Sequence, residues 1–237
     1  MSQKIAIIGD VHGCIDELRE LLTLLEHEQL DATWHLGDLV DRGPDSGAVV
    51  ALLRQHGITG VMGNHEARLL DLQKRTSSSD ISDEKRRSIA SLSQDPENWN
   101  YLRQLPRIHI IDGIIKRPIA LVHGGLWPGL PLWKQPFSVM MAQLIDPVKP
   151  GSVAWLTDEK AKAQGLVPWW DLWDGDELVV FGHTVFRQPQ VFGNTIGIDT
   201  GCVFGGALSA LILPDFRIVQ VQARRVYAHR DNLFRDD

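Results

Sequence analysis

Cysteine is scarce in this sequence of 237 residues, and long apolar runs are missing from it. The two cysteines, Cys14 and Cys202, cannot form a disulfide framework, which predicts a reducing, cytoplasmic location. The longest apolar stretches, such as 207–213, are far shorter than the roughly 20 residues of a membrane-spanning helix. No signal-peptide pattern precedes the first apolar run. We therefore expect a protein with no membrane partner.

An excess of positive charge is also absent. The formal net charge is −6 and the pI is about 5.8, whereas nucleic-acid-binding proteins usually carry a basic face. We therefore expect no stable nucleic-acid partner, and any phosphate-bearing substrate must be attracted locally. Hydrophobic residues make up 43% and charged residues 23% of the chain, which is typical of a globular protein. The length fits a single domain over 1–237.

Three apolar runs in the first part of the chain are each followed by a polar loop and then by apolar residues at helical spacing. The predicted strands are residues 5–9, 33–37 and 58–62, the loops include 38–45 and 63–66, and the predicted helices cover 18–25, 48–53 and 67–73. Asp45 or Ser46 is placed to cap the second helix. Strands that alternate with helices predict an α/β fold, in which functional side chains gather beyond the carboxyl ends of the strands.

The second part of the chain is less regular. Residues 74–94 are polar, include Ser77–Ser79 and Lys85–Arg87, and are interpreted as an exposed loop and a solvated helix face. Further strands are predicted at 108–111, 119–122, 178–181, 196–198, 207–213 and 218–221. A stretch rich in tryptophan and proline, at about 124–177, is interpreted as an insertion over the strand ends and the active site within the same domain.

Polar side chains that can bind metals or protons recur just after the predicted strands. They are Asp10, His12, Asp38, Asp41, Arg42, Asn64, His65, His123 and His183. The potential ligands among them offer oxygen and imidazole nitrogen, and the absence of thiolates argues against a structural zinc site of the cysteine-rich kind. Without cations, this many buried polar groups at one sheet edge would repel each other or lack partners, so the pattern predicts a metal cluster.

Five short motifs carry these residues in a fixed order: Gly9-Asp10-Val11-His12-Gly13, Gly37-Asp38-Leu39-Val40-Asp41-Arg42-Gly43, Gly63-Asn64-His65-Glu66, His123-Gly124-Gly125 and Gly182-His183-Thr184. The set resembles the signature of the phosphoprotein phosphatase (PPP) type of calcineurin-like binuclear metallophosphoesterase. The stretch 198–206 resembles the bacterial branch of these enzymes. The resemblance implies the calcineurin-like metallophosphoesterase sandwich, in which helices flank two mixed β-sheets in an α-β-β-α order.

The resemblance also implies a ligand set for two divalent metal ions. Asp10 and His12 would hold the first ion, Asn64, His123 and His183 the second, and Asp38 would bridge both. Nitrogen and oxygen donors suit manganese, our first choice, and also iron, zinc, nickel or cobalt. Two such ions lower the pKa of a bridging water, so that a hydroxide can attack phosphorus directly.

The remaining motif residues are assigned to catalysis by the same resemblance. His65 is the expected general acid, and Asp41 would hold its imidazole. Arg42 would bind phosphoryl oxygens with its forked guanidinium, and Asn64 would also contact substrate. Asp199 either supports a ligand histidine or forms a turn.

Two substrate classes remain open. The first interpretation is a phosphatase of phosphate monoesters, with phosphoserine or phosphothreonine in proteins as one substrate. The alternative is a bis(5'-nucleosyl)-tetraphosphatase that cleaves diadenosine tetraphosphate, or a nucleotide or polynucleotide-end phosphatase. Glu66 favours the first, whereas the lack of arginine in 166–181 favours the second. A non-enzymatic metal-binding scaffold is disfavoured, because Asp41, Arg42 and His65 are not needed to hold metal. The oligomeric state is not predicted.

Overall fold

The computed structural model of the protein describes residues 3–74, 81–149, 152–155 and 157–229. Ser77–Ser79, predicted as part of an exposed loop, lies outside these residues. The strands are β1 (Ile5–Ile8), β2 (Ala32–His35), β3 (Thr59–Gly60), β4 (Ile108–Ile111), β5 (Ile119–Val122), β6 (Leu144–Ile145), β7 (Val153–Ala154), β8 (Val167–Pro168), β9 (Leu178–Phe181), β10 (Gln190–Phe192), β11 (Thr195–Gly197), β12 (Ala207–Leu213) and β13 (Arg217–Gln222). The α-helices are α1 (Ile15–Glu26), α2 (Ser46–Gln55), α3 (Asn64–Lys74), α4 (Asp83–Leu92), α5 (Pro96–Gln104) and α6 (Glu159–Ala163).

Ten of these strands form two mixed sheets. The first sheet has the order β13-β12-β1-β2-β3, in which β1, β2 and β3 are parallel and β12 is antiparallel to both of its neighbours. The second has the order β10-β11-β9-β5-β4, with parallel central strands and an antiparallel strand at each edge. The predicted class, an α/β sandwich of two mixed sheets with flanking helices, is confirmed.

The side chains of β1 explain why this strand reads as a continuous apolar run. Ile5 and Ile7 belong to the core between the two sheets, whereas Ala6 and Ile8 pack with the helices on the outer face of the first sheet. Successive side chains of a strand point to opposite faces, so a strand covered on both faces needs no polar alternation. The first sheet is therefore buried on both sides at β1, directly before the first predicted site motif.

The helices of the first part follow the sequence pattern, with one important difference. Leu18, Leu21 and Leu25 form the buried face of α1 as predicted. Asp45 caps α2, because its side chain accepts a hydrogen bond from the backbone N–H of Ala48 at 2.9 Å. The predicted loop at 63–66 is wrong, since α3 already begins at Asn64. Residues 64–66 therefore occupy the first turn of a helix, which fixes the directions of their side chains.

The tryptophan-rich stretch contains local structure that the sequence pattern did not predict. Strands β6, β7 and β8 form a small third sheet, and β10 beyond the stretch was also missed. Trp169 and Trp170 are buried on the outer face of the second sheet, with ring centroids 5.0 and 5.5 Å from that of Phe181. These two tryptophans thus fill a hydrophobic core, whereas Trp133 is 83% exposed. The assignment of the whole chain to one domain stays a prediction.

Candidate metal centre and active site

The predicted site residues come together at the carboxyl ends of the parallel strands. Asp10 and His12 follow β1, Asp38 to Arg42 follow β2, Asn64 and His65 follow β3, His123 follows β5 and His183 follows β9. Contacts of 2.9–3.9 Å connect seven of them around Asp38, and Asp10 and His183 form a separate pair. The ring of His183 lies beside that of His123, with centroids 4.9 Å apart. Most of these side chains are buried. Buried polar groups need hydrogen-bonding or ionic partners, so their concentration at one sheet edge indicates a functional site.

Asp38 lies at the centre of this group, between two histidines. Its Oδ2 is 3.4 Å from Nε2 of His12, and its Oδ1 is 3.4 Å from Nε2 of His123. Each oxygen of one carboxylate therefore faces a different imidazole. This arrangement can place one cation on each side of Asp38. Asn64 lies on the His123 side, where its Oδ1 is 3.0 Å from the same Nε2.

The far nitrogens of both histidines are held by backbone carbonyls. Nδ1 of His12 lies 2.9 Å from the Val40 carbonyl oxygen, and Nδ1 of His123 lies 2.8 Å from that of Leu36. A carbonyl oxygen only accepts, so each Nδ1 carries a hydrogen, and in the neutral ring each Nε2 directs a lone pair at Asp38. Burial would lower the pKa of His123, but the charge of Asp38 and the hydrogen bond to it raise this pKa. Burial also lowers the pKa of His12 to about 3, which favours the neutral, metal-binding form. In the neutral form of both rings, nitrogen lone pairs that face a carboxylate fit a site for cations.

Buried negative charge points to the same conclusion. Burial, together with the charges of Asp199 and Asp38, raises the pKa of Asp10 well above its usual value. Oδ2 of Asp10 also accepts a hydrogen bond from the backbone N–H of His183 at 3.1 Å. Carboxylates that repel each other away from water are stabilised by divalent cations. The donor set of oxygen and imidazole nitrogen therefore fits two such ions, although it does not identify the metal.

Left-handed backbone conformation is concentrated in the site. Five non-glycine residues with positive φ are predicted site residues: His12 (47°), Asp38 (47°), Asp41 (67°), Arg42 (66°) and His183 (63°). This conformation is uncommon outside glycine and costs free energy, and such strain accumulates at functional sites. The sequence carries no direct signal for it. The surrounding contacts must therefore hold these loops in place.

Glu66 supplies many of the contacts that keep the loop after β2 in place. Its Oε2 accepts hydrogen bonds from the N–H groups of Asp38 at 2.8 Å and Gly63 at 2.7 Å, and its Oε1 accepts from Leu39 at 2.8 Å and Val40 at 3.3 Å. The side chain is fully buried. Because Glu66 lies in the first turn of α3, its carboxylate reaches the loop after β2 and fixes the backbone of Asp38. Sequence reasoning considered Glu66 only as an indicator of substrate class.

His65 forms a pair with Asp41 beside Asp38. Nδ1 of His65 lies 2.9 Å from Oδ2 of Asp41, and its Nε2 faces Nη2 of Arg42 at 3.4 Å and Oδ2 of Asp38 at 3.9 Å. Burial alone would raise the pKa of Asp41. The hydrogen bond and charge of His65, with further contributions from Ser88 and Lys85, instead lower this pKa below its usual value. An ionised Asp41 keeps Nδ1 protonated and directs Nε2 towards the metal-binding groups.

Lys85 is a site residue that sequence reasoning missed. Its Nζ lies 3.8 Å from Oδ2 of Asp41, and its side chain is only 13% exposed. The prediction of a solvated helix face is correct for Arg86 and Arg87, which are exposed, but it is wrong for Lys85. The face of α4 that packs on the loop after β2 therefore carries a partly buried lysine. A run of three basic residues gave no sign of which one points inward.

Asp199 and the tryptophan-rich stretch both lie near these residues. Asp199 is buried, and its Oδ1 accepts a hydrogen bond from the N–H of Gly201 at 2.9 Å, as a turn-forming aspartate does. Trp155 of the tryptophan-rich stretch stacks on the ring of His183, with centroids 5.3 Å apart. This stretch therefore reaches the candidate site at Trp155. Cys14 and Cys202 are buried in the core, as expected of packing residues.

A sandwich of two mixed sheets with this cluster at its strand ends defines a metal-dependent phosphoesterase, a hydrolase that acts on phosphate esters. The family model for calcineurin-like phosphoesterases matches residues 3–200, and the chain belongs to this family. Among the described residues, no helix is long and apolar enough to cross a membrane. The predicted family, fold and enzyme class are thus confirmed.

Relatives cover almost the whole chain. It is 30% identical to bis(5'-nucleosyl)-tetraphosphatase PrpE [asymmetrical] of Halalkalibacterium halodurans, over 92% of this chain and 94% of that protein. It is also 30% identical to the symmetrical bis(5'-nucleosyl)-tetraphosphatase of Bordetella pertussis, over 95% and 98%. A crystal structure of a candidate diadenosine tetraphosphatase is 36% identical, with a TM-score of 0.74 over 94% and 95% of the two chains. These relatives support the predicted alternative better than the first interpretation.

Proposed function

We propose that the protein hydrolyses dinucleoside polyphosphates such as diadenosine tetraphosphate. The structural observation that supports hydrolytic activity is the position of Asp38 between Nε2 of His12 and Nε2 of His123, with the His65–Asp41 pair beside it. The substrate class rests on the names of relatives that match more than 90% of the chain. A single-domain organisation and a cytoplasmic location remain predictions.

The six predicted ligands would hold two divalent ions, for which we propose manganese first. Asp10 and His12 would bind one ion, Asn64, His123 and His183 the other, and Asp38 both. When bound, the ions supply a nucleophile at neutral pH and neutralise charge on the phosphoryl group. The formal charge of two divalent ions exceeds that of Asp10 and Asp38, which leaves an attractive site for phosphate in an acidic protein.

The residues beside the ligands would orient the substrate and move the proton. Arg42 would bind the phosphoryl oxygens with its guanidinium, which lies over the ring of Phe204 at 5.2 Å. Nε2 of His65 would donate a proton to the leaving oxygen, while Asp41 stabilises the charged imidazole. A nucleoside phosphate is a weaker base than the alkoxide of serine, so this proton is needed less for a dinucleotide than for a phosphoserine.

The first interpretation, a phosphatase of phosphoserine or phosphothreonine, loses its main support. Glu66 favoured it from the sequence, but this side chain bonds to backbone N–H groups of the loop after β2. A residue with that environment organises the loop and does not report on the substrate. We keep protein phosphatase activity as the alternative outcome of the test.

A side-by-side assay of the manganese-loaded protein tests the proposal. The substrates are diadenosine tetraphosphate, a phosphoserine peptide and p-nitrophenyl phosphate, and the quantity compared is kcat/KM. We expect the dinucleotide to exceed both others by at least tenfold, and a peptide preferred over the dinucleotide would refute the proposal. Product analysis adds the cleavage site, because the central bridge yields two nucleoside diphosphates and an outer bridge yields a monophosphate and a triphosphate.

A further inference from the structure

The amino-terminal half of α4 is anchored to the loop that carries Asp41 and Arg42. Oε1 of Glu84 accepts a hydrogen bond from the backbone N–H of Arg42 at 3.2 Å. Further along the helix, the hydroxyls of Ser88 and Ser46 are 3.2 Å apart. The hydroxyl of Ser46 in turn accepts a hydrogen bond from the N–H of Asp41 at 3.0 Å. Helix α4 is therefore held in a fixed position relative to the candidate active site.

Lys85 projects from this anchored helix towards the His65–Asp41 pair. Its side chain is 13% exposed, whereas that of Arg86, the next residue, is 51% exposed. The distance of 3.8 Å between Nζ and Oδ2 of Asp41 is longer than a hydrogen bond. An ammonium group has three donors, and within the described part of the chain no acceptor lies at hydrogen-bond distance from Nζ. The charge is thus positioned by Asp41, but its donors remain available.

The charges around the His65–Asp41 pair suggest a role for Lys85. Two cationic side chains flank the pair: Arg42 on the Nε2 side of His65, and Lys85 on the side of Asp41. Asp41 already bonds to His65, so this one carboxylate balances only part of the charge of the two cations. A substrate with four linked phosphates carries more negative charge than a phosphate monoester. The phosphates beyond the reacting one therefore need cations outside the metal pair.

We propose that Lys85 is a phosphate-binding residue, whose ammonium donates hydrogen bonds to a phosphate next to the one that is hydrolysed. This inference rests on the proposed function, because only a substrate with linked phosphates places an oxygen there in addition to the reacting group. A flexible four-carbon stem lets Nζ move the short distance from Asp41 to a bound anion. Lys85 would thus favour polyphosphate substrates over simple monoesters.

The test compares Lys85→Met with Arg86→Met, which removes the same charge one residue away on the exposed side of α4. Inorganic tripolyphosphate serves as a competitive inhibitor of p-nitrophenyl phosphate hydrolysis at fixed free Mn²⁺. We expect Lys85→Met to raise both the Ki of tripolyphosphate and the KM of diadenosine tetraphosphate by about tenfold to a hundredfold, the range for one charged hydrogen bond. The kcat/KM for p-nitrophenyl phosphate, whose leaving group needs little help from the His65–Asp41 pair, serves as the reference. The two polyphosphate constants should change by a larger factor than this reference does, and Arg86→Met should leave all values unchanged.

Other outcomes separate the alternatives. If Lys85 only holds Asp41 in place, Lys85→Met will lower kcat without changing the Ki of tripolyphosphate or the KM of diadenosine tetraphosphate, which overturns the inference. Lys85→Arg keeps the charge, so it should bind tripolyphosphate almost as well as the wild-type protein. Equal Ki values for Lys85→Arg and Lys85→Met would also contradict phosphate binding. If the wild-type protein prefers a phosphopeptide, the proposed function fails, whereas the inhibitor experiment still decides the role of Lys85.

Discussion

The replacement Glu66→Gln tests how the site is held together. The carboxylate of Glu66 accepts four backbone hydrogen bonds, two on each oxygen. Glutamine has nearly the same shape, but its amide nitrogen cannot accept, so one pair of N–H groups must lose its partner. Each buried donor without an acceptor costs about 1–3 kcal/mol. We therefore expect a loss of roughly 2–6 kcal/mol in the free energy of unfolding, which is a large share of the 5–15 kcal/mol typical of proteins.

Urea unfolding of the metal-free protein, followed by circular dichroism, measures this loss without relying on activity. Glu26→Gln is the matched control, because Glu26 lies on the exposed side of α1 and should change stability by less than about 0.5 kcal/mol. Calorimetric titration with Mn²⁺ should show weaker binding to Glu66→Gln, since the loop of Asp38 loses at least one of the three hydrogen bonds that it donates to Glu66. A loss below about 1 kcal/mol with unchanged Mn²⁺ affinity would refute the reasoning.

Three further predictions concern the candidate metal centre and His35 at the end of β2. His65→Ala should lower kcat by about 10²–10⁴ if this histidine is the general acid, with a larger loss for a phosphoserine peptide than for diadenosine tetraphosphate, and an unchanged kcat would exclude the role. Asp38→Asn should reduce the bound manganese measured by elemental analysis to at most one ion per chain; two retained ions would contradict the bridging role. Burial lowers the pKa of His35 to about 3, so its unfolded form takes up a proton first, and this histidine should contribute about 2 kcal/mol to the loss of stability between pH 7 and pH 5. Replacement of His35 by glutamine should reduce the loss measured by urea unfolding at the two pH values by about 2 kcal/mol. An equal loss in both proteins would show that His35 does not contribute.

The sequence predicts this site well where chemistry repeats along the chain. Carboxylates, imidazoles and an amide recur after successive strands, and parallel strands bring their carboxyl ends to one edge. The sequence does not predict the positions of Lys85 and Glu66 in the site. Their roles depend on which side of a helix faces the loop after β2, and a basic run or one buried glutamate in a polar motif does not encode that direction. Helical spacing worked for α1, where four leucines mark the buried face, because apolar side chains define the packing of that helix.

The glycines of the motifs explain how these loops can pack so closely. A Cβ at Gly43 would collide with the carbonyl of His12, and one at Gly63 would collide with the backbone and carboxylate of Asp38. The loop after β1 thus packs against the loop after β2, which in turn packs against the start of α3. Because each contact joins two different motifs, the ligands cannot be positioned independently of one another. This interlocking explains why the left-handed backbone at His12, Asp38 and Asp41 can persist: the strain of each loop is offset by contacts that the neighbouring loop provides.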